Sequence, residues 1–386
     1  MNGFVEGNAI SLLRSGTEYF PALEAALDGA ELEVYLETYL FEDDVAGRRI
    51  AQALMRAARR GVIVHLLIDG FGCKDFSPRM RADLGQAGVR LLTYRPEISP
   101  WTFRRERLRR LHRKIVVVDA RIAFLGGINI IDDRHTPHQV PPRFDYAVRV
   151  EGPLLAEIYP AATRLWKLVV WSQLREQWPS RELRVATERR GDQRAAFVMR
   201  DNLRHRNDIE DAYLIAIAAA QSEIVIACAY FFPGRSFRRA LIEAAARGVR
   251  VVLLLQRRVE YLLLHYASRA LYRAFLDAGV EIQEYHRGFL HAKVAVIDEC
   301  WATVGSSNID PMSLLLAREA NIVVEDPSFA RELRQSLGDA IASGAKQIEP
   351  ARWKMPVSSR FMTWVCYGLV RFLTGWSSYG RATEFR

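Results

Sequence analysis

Two short strings in this chain carry side chains that can do chemistry together. The first runs from His112-Arg113-Lys114 through an apolar stretch to Asp119, and reaches Asn129 after Gly126-Gly127. The second runs from His291-Ala292-Lys293 to Asp298, and reaches Asn308 after Gly305-Ser306-Ser307. In both, His to Lys is two positions, His to Asp seven and His to Asn seventeen. Residues two apart on a strand share a face, so each His projects beside its Lys. These groups suit displacement at phosphorus. A neutral imidazole can attack, a protonated one can supply the departing alkoxide, and ammonium and amide donors can hold the non-bridging oxygens. One ring must be neutral and the other charged, which predicts a bell-shaped pH profile.

Other side chains complete the candidate set. A carboxylate usually fixes the tautomer of a nucleophilic imidazole; Asp145 and Glu319 occupy matching positions after the two motifs and are the candidates. Asp119 and Asp298 belong to the motif itself. Each ends an apolar run at a turn, where a structural or ion-pairing role is favoured over direct chemistry. Asn129, Asn308 and Ser306 lie in segments whose small residues let a ligand approach the backbone. Glu37 and Tyr39, at the end of a strand, are further candidates for substrate binding. Of the 54 basic residues only six are lysines, and Lys114 and Lys293 are two of them. A compact ammonium is called for in a chain that otherwise prefers Arg.

The elements that must position these groups are themselves repeated. Residues 33–69 and 223–256 both read as an apolar strand, a loop, an Arg/Ala-rich helix ending in Arg-Gly-Val, and a second apolar strand. Gly61 and Gly248 fit left-handed helix caps. A further helix, a short strand and the His motif then follow in each half. Phe144-Asp145-Tyr146 in one half and Arg318-Glu319-Ala320 in the other open a last strand. Helices alternating with short apolar strands predict an α/β fold of two pseudo-twofold lobes, each a mixed sheet flanked by helices. The two motifs lie 179 positions apart, far beyond a solenoid repeat. The lobes are expected over 1–185 and 186–350, with the boundary in the polar stretch 177–193 and a tail over 351–386.

Composition narrows the partners. Half of the 386 residues are hydrophobic and the formal net charge is +9, which favours an anionic partner. The arginines between Phe103 and Lys114 set part of that charge beside the first motif. Cys73, Cys228, Cys300 and Cys366 lie far apart without a Cys-x-x-Cys pair, which argues against a zinc site or a disulfide framework. The first sixteen residues do not read as a signal peptide or anchor, and no window is apolar enough to span a bilayer. His135 and His138 lie in a Pro-rich stretch without carboxylates and read as an entrance loop rather than a metal site. His65 reads as a satisfied core histidine. The run 361–376, aromatic with Arg371, reads as an interfacial segment rather than a span.

The paired His-x-Lys-x4-Asp strings resemble the phospholipase D superfamily, over about Gly16 to Asp326. Glu37-Thr-Tyr39, Ala229-Tyr230-Phe-Phe-Pro-Gly234 and the second motif through Asn308-Ile-Asp310-Pro look like bacterial cardiolipin synthases of the B type. Cys228 and Gly127 depart from that pattern, which more often has an amide residue and a Ser there. The resemblance implies no metal or other cofactor and a phosphatidyl-histidine intermediate on His112, with His291 as acid and base. It also implies attack by a second lipid's hydroxyl. The expected partners are phosphatidylglycerol and other anionic phospholipids, and a membrane surface met by the basic face and the tail. The expected location is the cytoplasmic side of a bacterial inner membrane. A phosphodiesterase hydrolysing lipid or nucleic acid could use the same residues. Nucleic acid is the less favoured partner, because Leu-rich stretches at 261–264 and 314–316 flank the second motif. A scaffold without activity is disfavoured by two complete motifs.

Overall fold

The structure is a computed structural model. It describes residues 3–96, 109–136, 140–173, 183–201, 204–257, 262–315, 317–350 and 361–370. Most of the arginine run before His112, His138, much of the expected boundary stretch, Tyr261, Leu316 and the tail beyond Val370 lie outside the described residues.

The first half supplies β1 (Val5–Arg14), α1 (Ser15–Asp28), β2 (Glu33–Thr38), α2 (Val45–Arg59), β3 (Ile63–Asp69), α3 (Pro78–Gln86) and β4 (Arg90–Tyr94). It continues with β5 (Lys114–Val118), β6 (Ile122–Gly126), β7 (Tyr146–Glu151) and α4 (Leu155–Ser172). The second half supplies β8 (Gln193–Arg200), α5 (Asp208–Ala219), β9 (Glu223–Cys228), α6 (Arg235–Ala246), β10 (Arg250–Gln256), α7 (Leu262–Asp277) and β11 (Glu281–Tyr285). It ends with β12 (Lys293–Ile297), β13 (Trp301–Gly305), α8 (Pro311–Leu315), β14 (Glu319–Glu325), α9 (Pro327–Gly344) and β15 (Ala345–Gln347).

Among the described residues the strands form one continuous sheet, in the order β15-β11-β10-β9-β12-β13-β14-β8-β1-β7-β6-β5-β2-β3-β4. Read outward from the antiparallel β8–β1 seam, the two halves carry equivalent strands in equivalent order, with β15 added at one edge. In each half, β2–β3–β4 or β9–β10–β11 are parallel and joined by crossover helices, whereas the motif strands pair antiparallel. Both lobes are therefore mixed. Nearly continuous Val, Ile and Leu in β3 and β10 reflects burial on both faces. One face of each sheet is covered by its own helices, through Leu23, Ile50 and Leu54 in one lobe and Phe237, Leu241 and Phe275 in the other. The other faces close on a shared core, filled by Leu165 and Trp166 of α4 and Leu333 and Leu337 of α9. Gly61 and Gly248 follow their helices at φ +93° and +90°, a backbone that a residue with a Cβ adopts only at a cost.

The two motif aspartates shape this fold. Asp119-Ala120 and Asp298-Glu299 open three-residue hairpin loops between Val118 and Ile122 and between Ile297 and Trp301, with φ near +50° at all four residues, a left-handed backbone that Asp tolerates. Asp119 Oδ1 and Oδ2 also accept from the N–H groups of Glu31, Leu32 and Glu33 at 2.8 Å each. Asp298 does the same for Gln221, Ser222 and Glu223, at 2.8 to 2.9 Å. Each aspartate thus ties its hairpin to the start of the neighbouring strand.

Candidate active site

Both histidines stand two residues before Lys114 or Lys293, the first residues of β5 and β12. Each is held from three directions. The N–H of Leu111 donates to Asp69 Oδ2 at 2.8 Å, and that of Leu290 to Gln256 Oε1 at 2.8 Å. These acceptors end β3 and β10 and occupy equivalent places. The N–H of His112 donates to the Arg318 carbonyl at 3.0 Å, and that of His291 to the Phe144 carbonyl at 2.8 Å. The motif of each lobe is thereby stitched to the other lobe, directly before its carboxylate.

The side chains follow the same crossing. His112 Nδ1 lies 2.8 and 3.0 Å from the two carboxylate oxygens of Glu319, in the opposite lobe. His291 Nδ1 lies 2.6 Å from Asp145 Oδ2, again in the opposite lobe. An ionised carboxylate only accepts, so each Nδ1 carries the proton and Nε2 is left as the reacting atom. Ser306 Oγ donates to Glu319 Oε2 at 2.5 Å. Gly127 stands at the matching place beside Asp145, and a Cβ there would come within 2.3 Å of Asp145 Oδ1. One lobe thus steadies its own carboxylate with a hydroxyl, and the other makes room for its own by having no side chain.

Both ammonium groups line this centre. Lys114 Nζ donates to the His112 carbonyl at 2.6 Å and lies 5.5 Å from the Tyr39 ring centroid. The Tyr39 ring meets the His112 ring edge-on, at 5.1 Å. Lys293 Nζ donates to the His291 carbonyl and sits 3.7 Å from Asp145 Oδ2. Burial drives the pKa of Lys114 down to about 7, with Lys293 adding repulsion against the pull of Glu319. Burial likewise lowers Lys293. His112 is lowered by burial, with Lys114 and Lys293 adding to it against Glu319. His291 is driven to about 3 by burial and then by Lys293. Burial disfavours the Asp145 carboxylate, but Lys293 and His291 outweigh it and hold Asp145 below its ordinary range. Lys293 acts electrostatically on His112 as well as His291, so the charge of one motif is felt at both rings.

The remaining candidates divide. Asn129 and Asn308 are buried beside the motif strands; Asn129 Oδ1 accepts from the Leu40 N–H at 3.2 Å. The Cys228 thiol donates to the Tyr230 carbonyl at 3.1 Å, and burial pushes its pKa up to about 12. Asp119 and Asp298 take the structural role that their turns favoured: they bind backbone N–H groups at the far ends of β5 and β12 and are not brought to the site as catalytic groups. Two expectations are corrected. Glu37 faces away from it: it pairs in register with Ile115, and its carboxylate holds the buried Arg113 guanidinium at 2.5 and 2.9 Å. Ser306 serves Glu319, as described above. His65 is in the core, with Nε2 3.0 Å from Glu33 Oε1, but its Nδ1 has no partner among the described residues. Sequence reasoning passed over Asp69 and Gln256 as supports. Their matching places at the ends of β3 and β10 were the available signal. Among the described residues no group of His, Cys, Asp and Glu is arranged to hold a metal ion.

The comparisons with known proteins agree with this architecture. Residues 23–141 and 213–340 match the family model described as "Cardiolipin synthase, PLD-like domain". The chain is 41% identical to cardiolipin synthase B of Escherichia coli (strain K12) over 345 residues, 89% of this chain and 83% of that protein. It is 40% identical to cardiolipin synthase B of Salmonella typhi over 347 residues, 90% and 84% of the two chains. In fold it is similar to the crystal structure of phosphatidylserine synthase from Haemophilus influenzae, with a TM-score of 0.70, 14% identity, and 98% and 96% of the two chains covered. With the motif duplicated in its two halves and a match over most of its length, this chain belongs to the phospholipase D-like cardiolipin synthase family.

Proposed function

We propose that the protein transfers a phosphatidyl group between two phosphatidylglycerol molecules, giving cardiolipin and glycerol. The observation that supports this reading is the crossing of the carboxylates, in which each histidine is held at Nδ1 by the opposite lobe and keeps Nε2 as its reacting atom. His112 attacks phosphorus; the P–O bond to glycerol breaks, and the departing oxygen takes a proton from His291. A hydroxyl of a second phosphatidylglycerol then attacks the phosphatidyl-histidine, His291 recovers the proton, and the P–N bond breaks. One phosphodiester replaces another, so no nucleotide is consumed. Lys114, Lys293 and the amide groups of Asn129 and Asn308 hold the non-bridging oxygens. The pKa shifts fit this sequence. The empty site keeps both rings neutral, ready for attack by His112. An arriving phosphate adds negative charge, which favours the protonated form of His291 when the acid is needed.

The same reading places the protein at a membrane surface. Among the described residues no helix is long and apolar enough to cross a membrane. The helix over 361–370 instead buries Thr363, Cys366 and Val370 and leaves Phe361 and Trp364 66% and 74% exposed. It carries no charge, and Tyr367 packs edge-on against Phe232 at 5.8 Å, just beyond the end of β9 at the site. An exposed apolar stripe there suits the bilayer interface. With Trp364→Glu, binding to phosphatidylglycerol vesicles should weaken; unchanged sedimentation with vesicles would remove the helix from this role.

The function itself is tested by incubating the purified protein with phosphatidylglycerol in mixed micelles and weighing the lipid products. Cardiolipin with free glycerol is expected. Phosphatidate as the sole product would mean hydrolysis in place of transfer.

A further inference from the structure

The pseudo-twofold axis makes each rim residue beside one histidine comparable with a partner beside the other, and the two rims differ in chemistry. On the His291 side, Phe144 stacks on Tyr285 at 5.9 Å and 20°, Phe289 stacks on His291 at 5.9 Å and 15°, and the guanidinium of the buried Arg143 lies over the Phe289 ring at 4.7 Å. On the His112 side, the residue equivalent to Phe144 is Arg318, and the residue equivalent to Phe289 is Arg110. Arg318 Nε donates to the hydroxyl of Tyr94, the counterpart of Tyr285, at 3.2 Å. Backbone bonds fix the pair: the Arg318 N–H donates to the Arg110 carbonyl at 2.8 Å, and the Arg318 carbonyl accepts from His112. Both guanidinium groups therefore leave the chain within two residues of His112.

Positive charge gathers here. Arg109 and Arg318 both act on the buried Arg200, whose pKa falls to about 10 through burial and their repulsion, against Glu319 and Asp201. Glu319 is already engaged by His112 and Ser306. Asp69, 3.9 Å from Arg110, already accepts three backbone N–H groups, and burial raises its pKa. The catalytic centre has its own clamp in two lysines and two asparagines. Two further guanidinium groups, on the residues bonded beside His112, match a second phosphodiester.

We propose that Arg110 and Arg318 hold the phosphate of the acceptor phospholipid while its glycerol hydroxyl attacks the intermediate on His112. The assignment rests on the transfer reading above and adds to it a discrimination between acceptors. An acceptor carrying a phosphodiester is favoured over an uncharged alcohol, because only the former reaches the arginines.

A partition experiment tests this. Purified full-length enzyme is given phosphatidylglycerol in mixed micelles with deuterated glycerol at fixed concentration. The phosphatidyl-histidine then divides between cardiolipin and deuterated phosphatidylglycerol. Both products arise from one intermediate, so their ratio does not depend on donor binding or on the fraction of enzyme folded. In Arg318→Gln and Arg110→Gln the ratio of cardiolipin to labelled lipid should fall about ten-fold, the size of one charge-assisted hydrogen bond, with Arg318→Lys falling between. A ratio equal to the wild type overturns the subsite while leaving the transfer reading intact. Loss of both products in parallel also overturns it, assigning the arginines to the reaction centre or to docking on the lipid surface. A wild type that forms neither product overturns the transfer reading, and the subsite with it.

Discussion

Around His112 stand Arg110, Arg318 and the Tyr39 ring; around His291 stand the stacked rings of Phe144, Tyr285 and Phe289, with Arg143 over the Phe289 ring. Between these rims each half repeats a histidine, a lysine, an asparagine and a carboxylate that crosses to the other half's histidine. In the proposed reaction attack and departure at phosphorus are mirror images of one another, which suits a centre repeated in both halves, and the proposed acceptor subsite would account for the difference between the rims. Even within the shared centre one inequality remains. The Glu319 that serves His112 is pinned by the Ser306 hydroxyl, whereas the Asp145 that serves His291 is fitted against Gly127.

The sharpest way to break the comparison is to remove either ring. His112→Ala and His291→Ala should each lose more than about a hundredfold in cardiolipin formation, and their failures should differ. With a phosphatidyl donor whose leaving group is a phenolate, needing no proton, the His291→Ala protein should accumulate the phosphatidyl adduct in intact-mass spectra. The His112→Ala protein should not. An adduct on His112→Ala alone would reverse the roles.

Next in size are the carboxylates. Glu319→Gln and Asp145→Asn should each reduce turnover about a hundredfold by releasing the tautomer of the opposite lobe's ring. Removing a negative neighbour lowers an imidazole's pKa further. In NMR titrations Glu319→Gln should therefore depress the titration of His112, and Asp145→Asn that of His291. Effects confined to the histidine of the same lobe would contradict the crossing.

A smaller effect separates the lysines by pH. Lys114 in the free enzyme loses its proton as pH rises through about 7, so kcat/KM should fall above that value. Bound phosphate favours the ammonium form and should move the decline in kcat to higher pH. Lys114→Arg should keep its charge and abolish that limb, though with weaker activity because the guanidinium does not reproduce the compact ammonium. A basic limb unchanged in Lys114→Arg would assign it to another group.

The smallest change in chemistry is expected at the hairpins. Asp119→Ala strands three backbone N–H groups at the start of β2 and should cost about 2–4 kcal/mol of stability, read by denaturant unfolding. Its pH–rate profile should keep the wild-type shape. A changed profile would return Asp119 to the catalytic set.

Much of this molecule was legible from spacing alone. Strand period places Lys114 beside His112 and Lys293 beside His291, and the alternation of helix with apolar strand specifies α/β lobes, because both are local properties of a chain with a fixed side-chain repeat. Glu37 shows where that logic stops. Its face depends on pairing with Ile115 of another strand, and that register sets it against Arg113 rather than the cleft. For Asp119 the turn at the end of an apolar run favoured a structural role, but nothing in its spacing reveals that its partners are the N–H groups of Glu31 to Glu33. The pairing of His112 with Glu319 and of His291 with Asp145 was decided only in three dimensions. A repeated sequence is equally consistent with each histidine taking the carboxylate of its own half. The choice is made by how the two lobes pack across the β1–β8 seam, which brings residues 207 and 146 positions apart into hydrogen-bond contact.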